Sequence, residues 1–432
     1  MSNKLRTLQL TGVVFLTVSG GPYGLEPVLA YAGEQAAFLL LIIAPLLWDV
    51  PTIFVVLELN SMMPVTGGYY HWVKRALGLR WAFYEGWWTL LYTIVDLAIY
   101  PVLFVEYAAY FFPEIHSIKL PVCLAIIWLS AWINIRGIIP VAKVSVVLSL
   151  IVMIPFLILF WIVLNRYSFS IPVQTINHTS FSNLGLAFFT IMWNFLGWDN
   201  CTTYAQEIRR PVKAYLFSVS ASFILILILY LLAMYAAIRT GIPLHTFQEQ
   251  GFPAVGILAA GKWLAFLLAA GGMASALGLY SGVILSLSRI PVAMSYDNLL
   301  PKAFSRLHKI YATPHLSIIV CSVLVSVMVL FTFESLVIMD VTLYGAALFL
   351  EYLSLIRLRH ISPNDFRPFK IPLNIVGLII MTLFPLGIYL IAIYAIIVSG
   401  GNSIIALLYA LTALLSAEII WIIIKRIRLV ST

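Results

Sequence analysis

Acidic residues inside strongly apolar segments are the feature of this sequence best able to do chemistry. Such carboxyl side chains occur at Glu26, Asp49, Glu58, Asp96, Glu106, Asp199, Asp340 and Glu418. Lysine and arginine instead stay near the segment ends. An unpaired carboxylate in hydrocarbon costs free energy, so each is expected to face the protein interior and to need a cation, a hydrogen-bond donor or a proton. A cationic substrate or a transported proton is the natural partner.

Two of the apolar segments are interrupted by residues that break helices. The first carries Ser19–Gly24 near its middle, and the sixth carries Asn194–Asp199. Glycine favours unwinding, and Pro22 has no N–H and clashes with the preceding turn. Irregular backbone at membrane depth is tolerated only where it lines a cavity or is buried in protein. The two interruptions are therefore predicted to flank a binding site.

Three of the carboxyl groups are candidates for that site. Asp199 lies in the second interruption, and we predict that it contacts the substrate directly. Asp96 lies mid-span in Ile94–Leu97, either as a substrate ligand or as a buried hydrogen-bond acceptor. Glu26 follows the first interruption and either binds substrate or faces an outer vestibule as a solvated charge. Glu58 and Glu207 lie near segment ends, where pairing with loop arginines is the favoured interpretation.

Aromatic side chains surround the second interruption. Trp193 and Trp198 are predicted to hold an ammonium group by cation–π attraction, because both lie close to an acid and to unwound backbone. Tyr23 lies in the first interruption. The alternative for any membrane aromatic is packing or a place in the interfacial belt, and that interpretation is preferred for Trp87 and Trp88.

The segments that position these residues span the whole chain. Of 432 residues, 62% are hydrophobic and 10% charged, far fewer charges than the roughly 25% of a soluble domain. Helices of about 20 apolar residues cross a bilayer, and we predict an all-α polytopic protein with a single domain, residues 1–432. The predicted twelve transmembrane spans are 9–32, 36–62, 81–112, 120–137, 140–164, 183–206, 214–238, 255–288, 316–333, 335–357, 373–399 and 403–424.

The distribution of basic residues sets the predicted orientation. With both termini in the cytoplasm, 21 of the 25 lysines and arginines fall inside and four outside. This asymmetry is typical of a multi-pass protein of the cell membrane. Because the basic residues are scattered over loop ends, we expect a lipid bilayer and no nucleic acid as partner. No zinc-type histidine spacing, Walker loop or nucleophile elbow occurs, so neither an enzyme nor a metal or cofactor is expected.

Weak internal symmetry relates the two halves. The interruptions are about 175 residues apart, and the same offset carries spans two and three onto spans seven and eight. Interrupted helices at equivalent positions of two halves indicate an inverted-repeat transporter with its site between them. We predict a first repeat over residues 9–164, a second over 183–357 and two extra helices over 373–424.

Five runs of sequence resemble the amino acid–polyamine–organocation superfamily, and in particular its polyamine uptake transporters. They are Val18–Glu26, Glu58–Tyr69, Val95–Pro101, Trp193–Asp199 and Ser288–Pro301. The resemblance implies a LeuT-like fold of two inverted five-helix repeats, with alternating access around the two interruptions. It also implies that the first interruption supplies N–H groups to a substrate carboxylate, that Trp193 is an aromatic gate, and that Asp199 lies beside the amino-group site. The expected substrate-binding set is Ser19, Gly20, Gly21, Tyr23, Glu26, Asp96, Tyr100, Trp193, Asn194, Trp198 and Asp199.

Two departures from the family pattern bear on the substrate and on coupling. Pro22 removes an N–H from the segment that would cradle a carboxylate. The stretch Val144–Phe160 has no lysine, although some permeases carry one there in place of sodium. We expect a secondary active importer of cationic amines, most of all polyamines such as putrescine and spermidine, with the proton as coupling ion. The alternatives are an amino-acid permease or exchanger of the same fold, and a non-transporting membrane sensor.

The predicted topology can be tested by cysteine labelling. In a cysteine-free variant, Ser168→Cys is expected to react with an impermeant thiol reagent added outside, whereas Ser305→Cys is not, because the two loops lie on opposite sides. Equal labelling from outside would refute the twelve-span arrangement.

Overall fold

The computed structural model describes the backbone of residues 4–167 and 180–431. Ser168, one of the two labelling positions, lies outside the described residues, and Ser305 ends a short 3-10 turn, Lys302–Ser305. The α-helices of the described chain are α1 Thr7–Val18, α2 Glu26–Ala32, α3 Glu34–Leu47, α4 Asp49–Met62, α5 Tyr69–Leu77, α6 Leu79–Ala108, α7 Lys119–Ile135, α8 Ile138–Arg166, α9 Phe181–Asn194, α10 Pro211–Arg239, α11 Leu244–Ala260, α12 Lys262–Leu287, α13 Arg289–Tyr296, α14 His315–Met328, α15 Phe333–Ile361, α16 Ile375–Ser399 and α17 Gly401–Ser431.

Nine helical segments of the described chain are long and apolar enough to cross a membrane. They are α3 with α4, α6, α7 with the turn before it, α8, α10, α12 with α13, α15, α16 and α17. The other three predicted spans correspond to α1 with α2, α9 with the turns after it, and α14, whose individual helices have 7 to 14 residues. The protein is thus an all-α, multi-pass membrane protein.

The predicted start of the eighth span, residue 255, is wrong. Residues 244–260 form the separate helix α11, which Gly261 (φ +91°) ends and which packs against α12. The span itself begins at Lys262. Sequence alone does not separate the two helices, because an apolar helix face buried against protein has the same composition as one that faces lipid.

The chain leaves helical geometry at both predicted interruptions. After α1, Gly20, Gly21 and Gly24 have φ of +60°, +100° and +90°, a region that strains any residue with a Cβ. After α9, Gly197 has φ +96° and two short 3-10 turns follow. The Asn194 side chain donates a hydrogen bond to the Gly24 carbonyl at 3.3 Å, so the two interruptions lie side by side.

Two long uninterrupted helices form the frame against which the interruptions lie. Helices α6 and α15 pack along each other, and α12 packs against both α6 and α8. Helix α1 contacts α8, α10 and α12. Apolar side chains cover the lipid-facing sides of this frame, so its polar side chains can lie in the protein interior.

A buried ion-pair cluster ties the loop after α15 to α4. Arg359 donates to both carboxylate oxygens of Glu58 at 2.6 and 2.7 Å, and Arg367 lies 3.3 Å from the same carboxylate. Glu58 is fully buried. The expected pairing of Glu58 with loop arginines is therefore present. We name this side of the molecule, which carries Lys74, Arg289 and Arg359, the basic end.

Glu58→Gln should destabilise the protein strongly, by about 3–5 kcal/mol, because it leaves two guanidinium groups without their buried counter-charge. Thermal unfolding in detergent measures this. Glu418→Gln is the matched control, since Glu418 pairs with Arg80 where both side chains are about half exposed, and such pairs contribute about 0–1 kcal/mol. Equal melting temperatures for the two variants would contradict the assignment.

Candidate functional site

A small, closed cavity of about 20 Å³, room for about one water molecule, lies where the two interruptions meet α6 and α15. Its walls come from the end of α1, the second interruption, α6, α15 and one residue of α12. The lining residues are Thr17, Val18, Ser19, Tyr92, Asp96, Tyr100, Trp193, Asn194, Leu196, Gly197, Asn200, Leu279, Asp340 and Tyr344. The cavity thus brings together Ser19, Asp96, Tyr100, Trp193 and Asn194 of the expected set.

Two carboxyl groups from opposite helices face this cavity. Asp96 on α6 accepts hydrogen bonds from Tyr100 Oη at 2.5 Å and from Trp193 Nε1 at 3.1 Å. Asp340 on α15 is 1% exposed, and neither of its carboxylate oxygens has a hydrogen-bond partner among the described residues. Among the described residues, no lysine, arginine or histidine lines the cavity. When the two carboxyl groups are ionised, no basic side chain of the lining neutralises them, an arrangement suited to a cation.

Trp193 closes the cavity on the side away from the basic end. Its ring lies tilted beside Tyr100, with centroids 6.4 Å apart, and meets Phe333 edge to face at 5.5 Å. A Cβ on Gly24 would lie 2.6 Å from Trp193 Cζ3, so only glycine allows this approach. Beyond Trp193 lies a wider depression, the vestibule, whose walls include Glu26, Glu106 and Phe333.

Four N–H groups of the first interruption, those of Ser19, Gly20, Gly21 and Gly24, are occupied within the protein. Gly21 N donates to Ser19 Oγ at 3.0 Å, and Gly24 N donates to Glu26 Oε2 at 2.6 Å. Tyr107 Oη donates to the other oxygen of Glu26 at 2.5 Å. Glu26 is 5% exposed and contributes to the vestibule wall rather than to the cavity. A side-chain carboxylate thus takes one of the donors that a substrate carboxylate would need.

Other members of the expected set lie behind the cavity wall. Trp198 Nε1 donates to Asp49 Oδ1 at 3.1 Å, and the Trp198 carbonyl accepts a hydrogen bond from Tyr215. Tyr23 Oη donates to the Leu268 carbonyl at 2.7 Å. Trp198, Tyr23, Gly20 and Gly21 are all absent from the cavity lining. The two glycines instead provide close backbone packing, since Cβ atoms there would lie 2.5–2.6 Å from neighbouring side chains.

Asp199 is connected to the cavity through the side chain of Tyr344. Tyr344 lines the cavity and donates a hydrogen bond to Asp199 Oδ1 at 3.0 Å. Asp199 itself is 2% exposed and is not a lining residue. Direct contact of Asp199 with a substrate stays a prediction, and in the conformation seen here Tyr344 is interposed.

The cavity is closed toward the basic end by contacts of the second interruption. Arg289 binds Glu207 through both carboxylate oxygens, with its Nη2 at 3.0 and 3.2 Å. Leu5 exchanges backbone hydrogen bonds of 2.9 Å with Glu207 and Arg209. These contacts bridge the N-terminus, the second interruption and α13, and they match the expected pairing of Glu207 with an arginine.

Sequence reasoning missed two buried acids and assigned no role to a third. Asp340 was among the acids of apolar segments but had no motif around it. Glu85 and Glu351 are not among the acids singled out from the sequence, yet each is 1% exposed. The spacing of these acids in the sequence is a pattern that could have identified them. Glu85 and Asp96 are eleven residues apart, as are Asp340 and Glu351, and about three helical turns place each pair on one face.

Comparison with known proteins agrees with this architecture. The family model described as amino acid permease matches residues 5–421. A probable polyamine transporter of Arabidopsis thaliana is 31% identical over 396 residues, which cover 89% of this chain and 81% of the relative. A polyamine transporter of Oryza sativa subsp. japonica is 29% identical over 394 residues, covering 89% and 73%.

A more distant relative is named for a different substrate class. The branched-chain amino acid permease of Bacillus subtilis is 25% identical over 287 residues, which cover 60% of each chain. The family match extends over nearly the whole sequence, from before α1 into α17, and includes both interruptions and the cavity between them. The chain is therefore a transporter that belongs to the amino acid permease family.

Proposed function

We propose that the protein is a secondary active importer of cationic amines, namely polyamines such as putrescine and spermidine, coupled to protons. The observation that carries the proposal is the pairing of Asp96 and Asp340 across a cavity without a basic residue. Two carboxylates in a water-poor site need more than one positive charge. A diamine or triamine supplies separate ammonium groups, whereas a neutral amino acid supplies one ammonium and a carboxylate.

The cavity walls suit the chain between the ammonium groups. Tyr100 and Trp193 flank Asp96, while Tyr92 and Tyr344 meet edge to face with centroids 5.1 Å apart at the opposite side. Aromatic faces attract ammonium groups and also accept the methylene spacer by apolar contact. Asp199 acts on the cavity through Tyr344 in this proposal. The names of the plant relatives support the same substrate class.

The first interruption argues against recognition of a carboxylate. Pro22 has no N–H, and the N–H groups of Gly21 and Gly24 already donate to Ser19 and Glu26. A substrate carboxylate would have to displace Glu26 and would add a third negative charge near Asp96 and Asp340. The alternative function, an amino-acid permease, is favoured by the bacterial relative, and it requires that displacement.

The transport cycle follows from the two closures around the cavity. We propose twelve spans in a LeuT-like arrangement of two inverted repeats, residues 9–164 and 183–357, with two extra helices. Both termini and the basic end face the cytoplasm, and the vestibule faces outside. Movement of Trp193 and Phe333 would open the cavity to the vestibule. Separation of the Arg289–Glu207 contact would open it to the cytoplasm.

Competition for labelled spermidine uptake into proteoliposomes tests the substrate class. Putrescine and spermidine are expected to compete best, arginine and lysine less well, and leucine and alanine least. Asp340→Asn should weaken spermidine binding at least tenfold, about 1.4 kcal/mol or more, because one ammonium loses its counter-charge. Asp49→Asn is the control: Asp49 is equally buried but bonds Trp198 outside the cavity. If leucine competes as well as putrescine, the amino-acid permease replaces the polyamine importer.

Glu26→Ala tests why a carboxylate is rejected. Removal of this side chain frees the Gly24 N–H and removes one negative charge, so affinity for arginine should rise relative to its decarboxylated analogue, agmatine, by at least threefold. Glu106→Ala controls for charge alone, since Glu106 lines the same vestibule but contacts only Lys119 and His116 among described ion pairs. The same ratio of affinities in both variants would show that Glu26 has no such role.

A further inference from the structure

A second group of buried carboxyl groups lies between the cavity and the basic end. It consists of Glu85 on α6, Asp199 after the second interruption and Glu351 on α15, and we name it the deep carboxyl cluster. The three side chains are between 1% and 2% exposed. None of the three lines the cavity.

The members of the deep carboxyl cluster lie close enough to interact. The carboxyl groups of Asp199 and Glu351 are within hydrogen-bonding range of each other, and Glu85 interacts electrostatically with both. Oε2 of Glu85 and Oε2 of Glu351 have no hydrogen-bond partner among the described residues. An ionised carboxylate is only an acceptor, so two carboxyl groups form a hydrogen bond only when one of them carries a proton.

The groups around the cluster cannot supply its counter-charge. Tyr69, Tyr92, Tyr215, Tyr344 and Cys201 face Asp199, and all are neutral when protonated. No ion pair within residues 4–167 and 180–426 involves Glu85, Asp199 or Glu351. Nor does any group of three or more acidic, histidine or cysteine side chains in that part of the chain have a geometry that could hold a metal ion. A proton shared between two carboxyl groups is a cation that this cluster can hold with its own residues.

We propose that the deep carboxyl cluster is the proton-binding site of the transport cycle, with the coupled proton shared between Asp199 and Glu351 and with Glu85 as the neighbouring negative charge that favours its uptake. This inference rests on the proposed import function and assigns its coupling step to residues. It also gives the protein a titratable group that the stretch Val144–Phe160, without lysine, does not provide.

The position of the cluster links the proton to both the substrate and the conformational change. Tyr344 lines the cavity four residues from Asp340 and hydrogen-bonds Asp199, so charge in the cavity and charge in the cluster are one side chain apart. Glu85 and Glu351 belong to the α6–α15 frame, whereas Asp199 belongs to the interrupted segment. The shared proton therefore fastens the interrupted segment to the frame.

The proton step needs no further reactant. A proton from the outside solution forms an O–H bond on one carboxylate of the cluster, and the Asp199–Glu351 hydrogen bond holds the second. When the cavity opens toward the cytoplasm, the O–H bond breaks and the proton leaves to water. Two ionised carboxylates then repel each other across a medium of low dielectric, which loosens the interrupted segment from the frame.

Glu351→Gln in proteoliposomes tests the assignment, because glutamine keeps the size and hydrogen bonds of the side chain but binds no transported proton. We expect loss of spermidine accumulation driven by a pH gradient and loss of spermidine-dependent acidification of the lumen, each at least tenfold. Exchange of labelled for unlabelled spermidine should stay within about threefold of wild type, since exchange needs no net proton movement. Glu351→Asp should restore acidification, and Asp49→Asn should leave both activities unchanged.

The outcomes separate this inference from the proposed function. Gradient-driven accumulation that survives in Glu351→Gln overturns the inference and leaves polyamine transport standing. If the wild type exchanges spermidine but ignores the pH gradient, the inference fails together with the proton coupling of the proposed function, and only polyamine transport stands. Absence of spermidine exchange in the wild type overturns the proposed function and the inference with it. A Glu351→Gln protein that loses exchange and accumulation alike, with no rescue by Glu351→Asp, shows a structural role and also overturns the inference.

Discussion

The free energy needed to keep a carboxylate away from water governs the interior of this protein. At the basic end that free energy is offset by arginine, as in the contact of Glu58 with Arg359 and Arg367. At the level of the cavity the described lining residues include no such cation, and Asp340 has no hydrogen-bond partner among the described residues. Interiors of low dielectric make an unpaired charge expensive. Binding of a cation or a proton at these carboxyl groups would therefore stabilise the protein. A carrier of either needs such a site.

Backbone polar groups of the interrupted helices also have to be kept satisfied away from water. A helix at membrane depth satisfies its own N–H and C=O groups, and an interruption exposes them. Here Ser19 and Glu26 take up N–H groups of the first interruption, while Asn194 donates to the Gly24 carbonyl. The two interruptions are thereby joined by a hydrogen bond, and these backbone groups need no ligand to satisfy them. This internal satisfaction leaves the negative side chains of the frame, rather than backbone donors, as the dominant polar groups facing the cavity.

The frame arranges those side chains in two levels. On α6, Tyr92 lies between Glu85 and Asp96; on α15, Tyr344 lies between Asp340 and Glu351. The helices run in opposite directions, so the two aspartates meet at one level and the two glutamates at another, with the tyrosine pair between them. An ammonium group at the level of the aspartates and a proton at the level of the glutamates would each lower the repulsion among the carboxylates of both levels. Coupling between substrate and proton would then be electrostatic over a short distance.

The membrane character, the interruptions after Val18 and Asn194, and five of the cavity's fourteen lining residues could be predicted from the amino-acid sequence. Hydropathy, glycine and proline act locally, so their consequences can be predicted without knowing which helices meet. Only the tertiary structure decided that Trp198 and Tyr23 bond behind the wall, that Glu26 bonds Gly24, and that Asp199 lies behind Tyr344. It also separated α11 from α12 and brought Glu85 and Glu351 together across more than 260 residues of sequence. Local sequence specifies that a carboxyl group is buried, but its partner is set by which helix packs against it, a long-range property that local sequence does not contain.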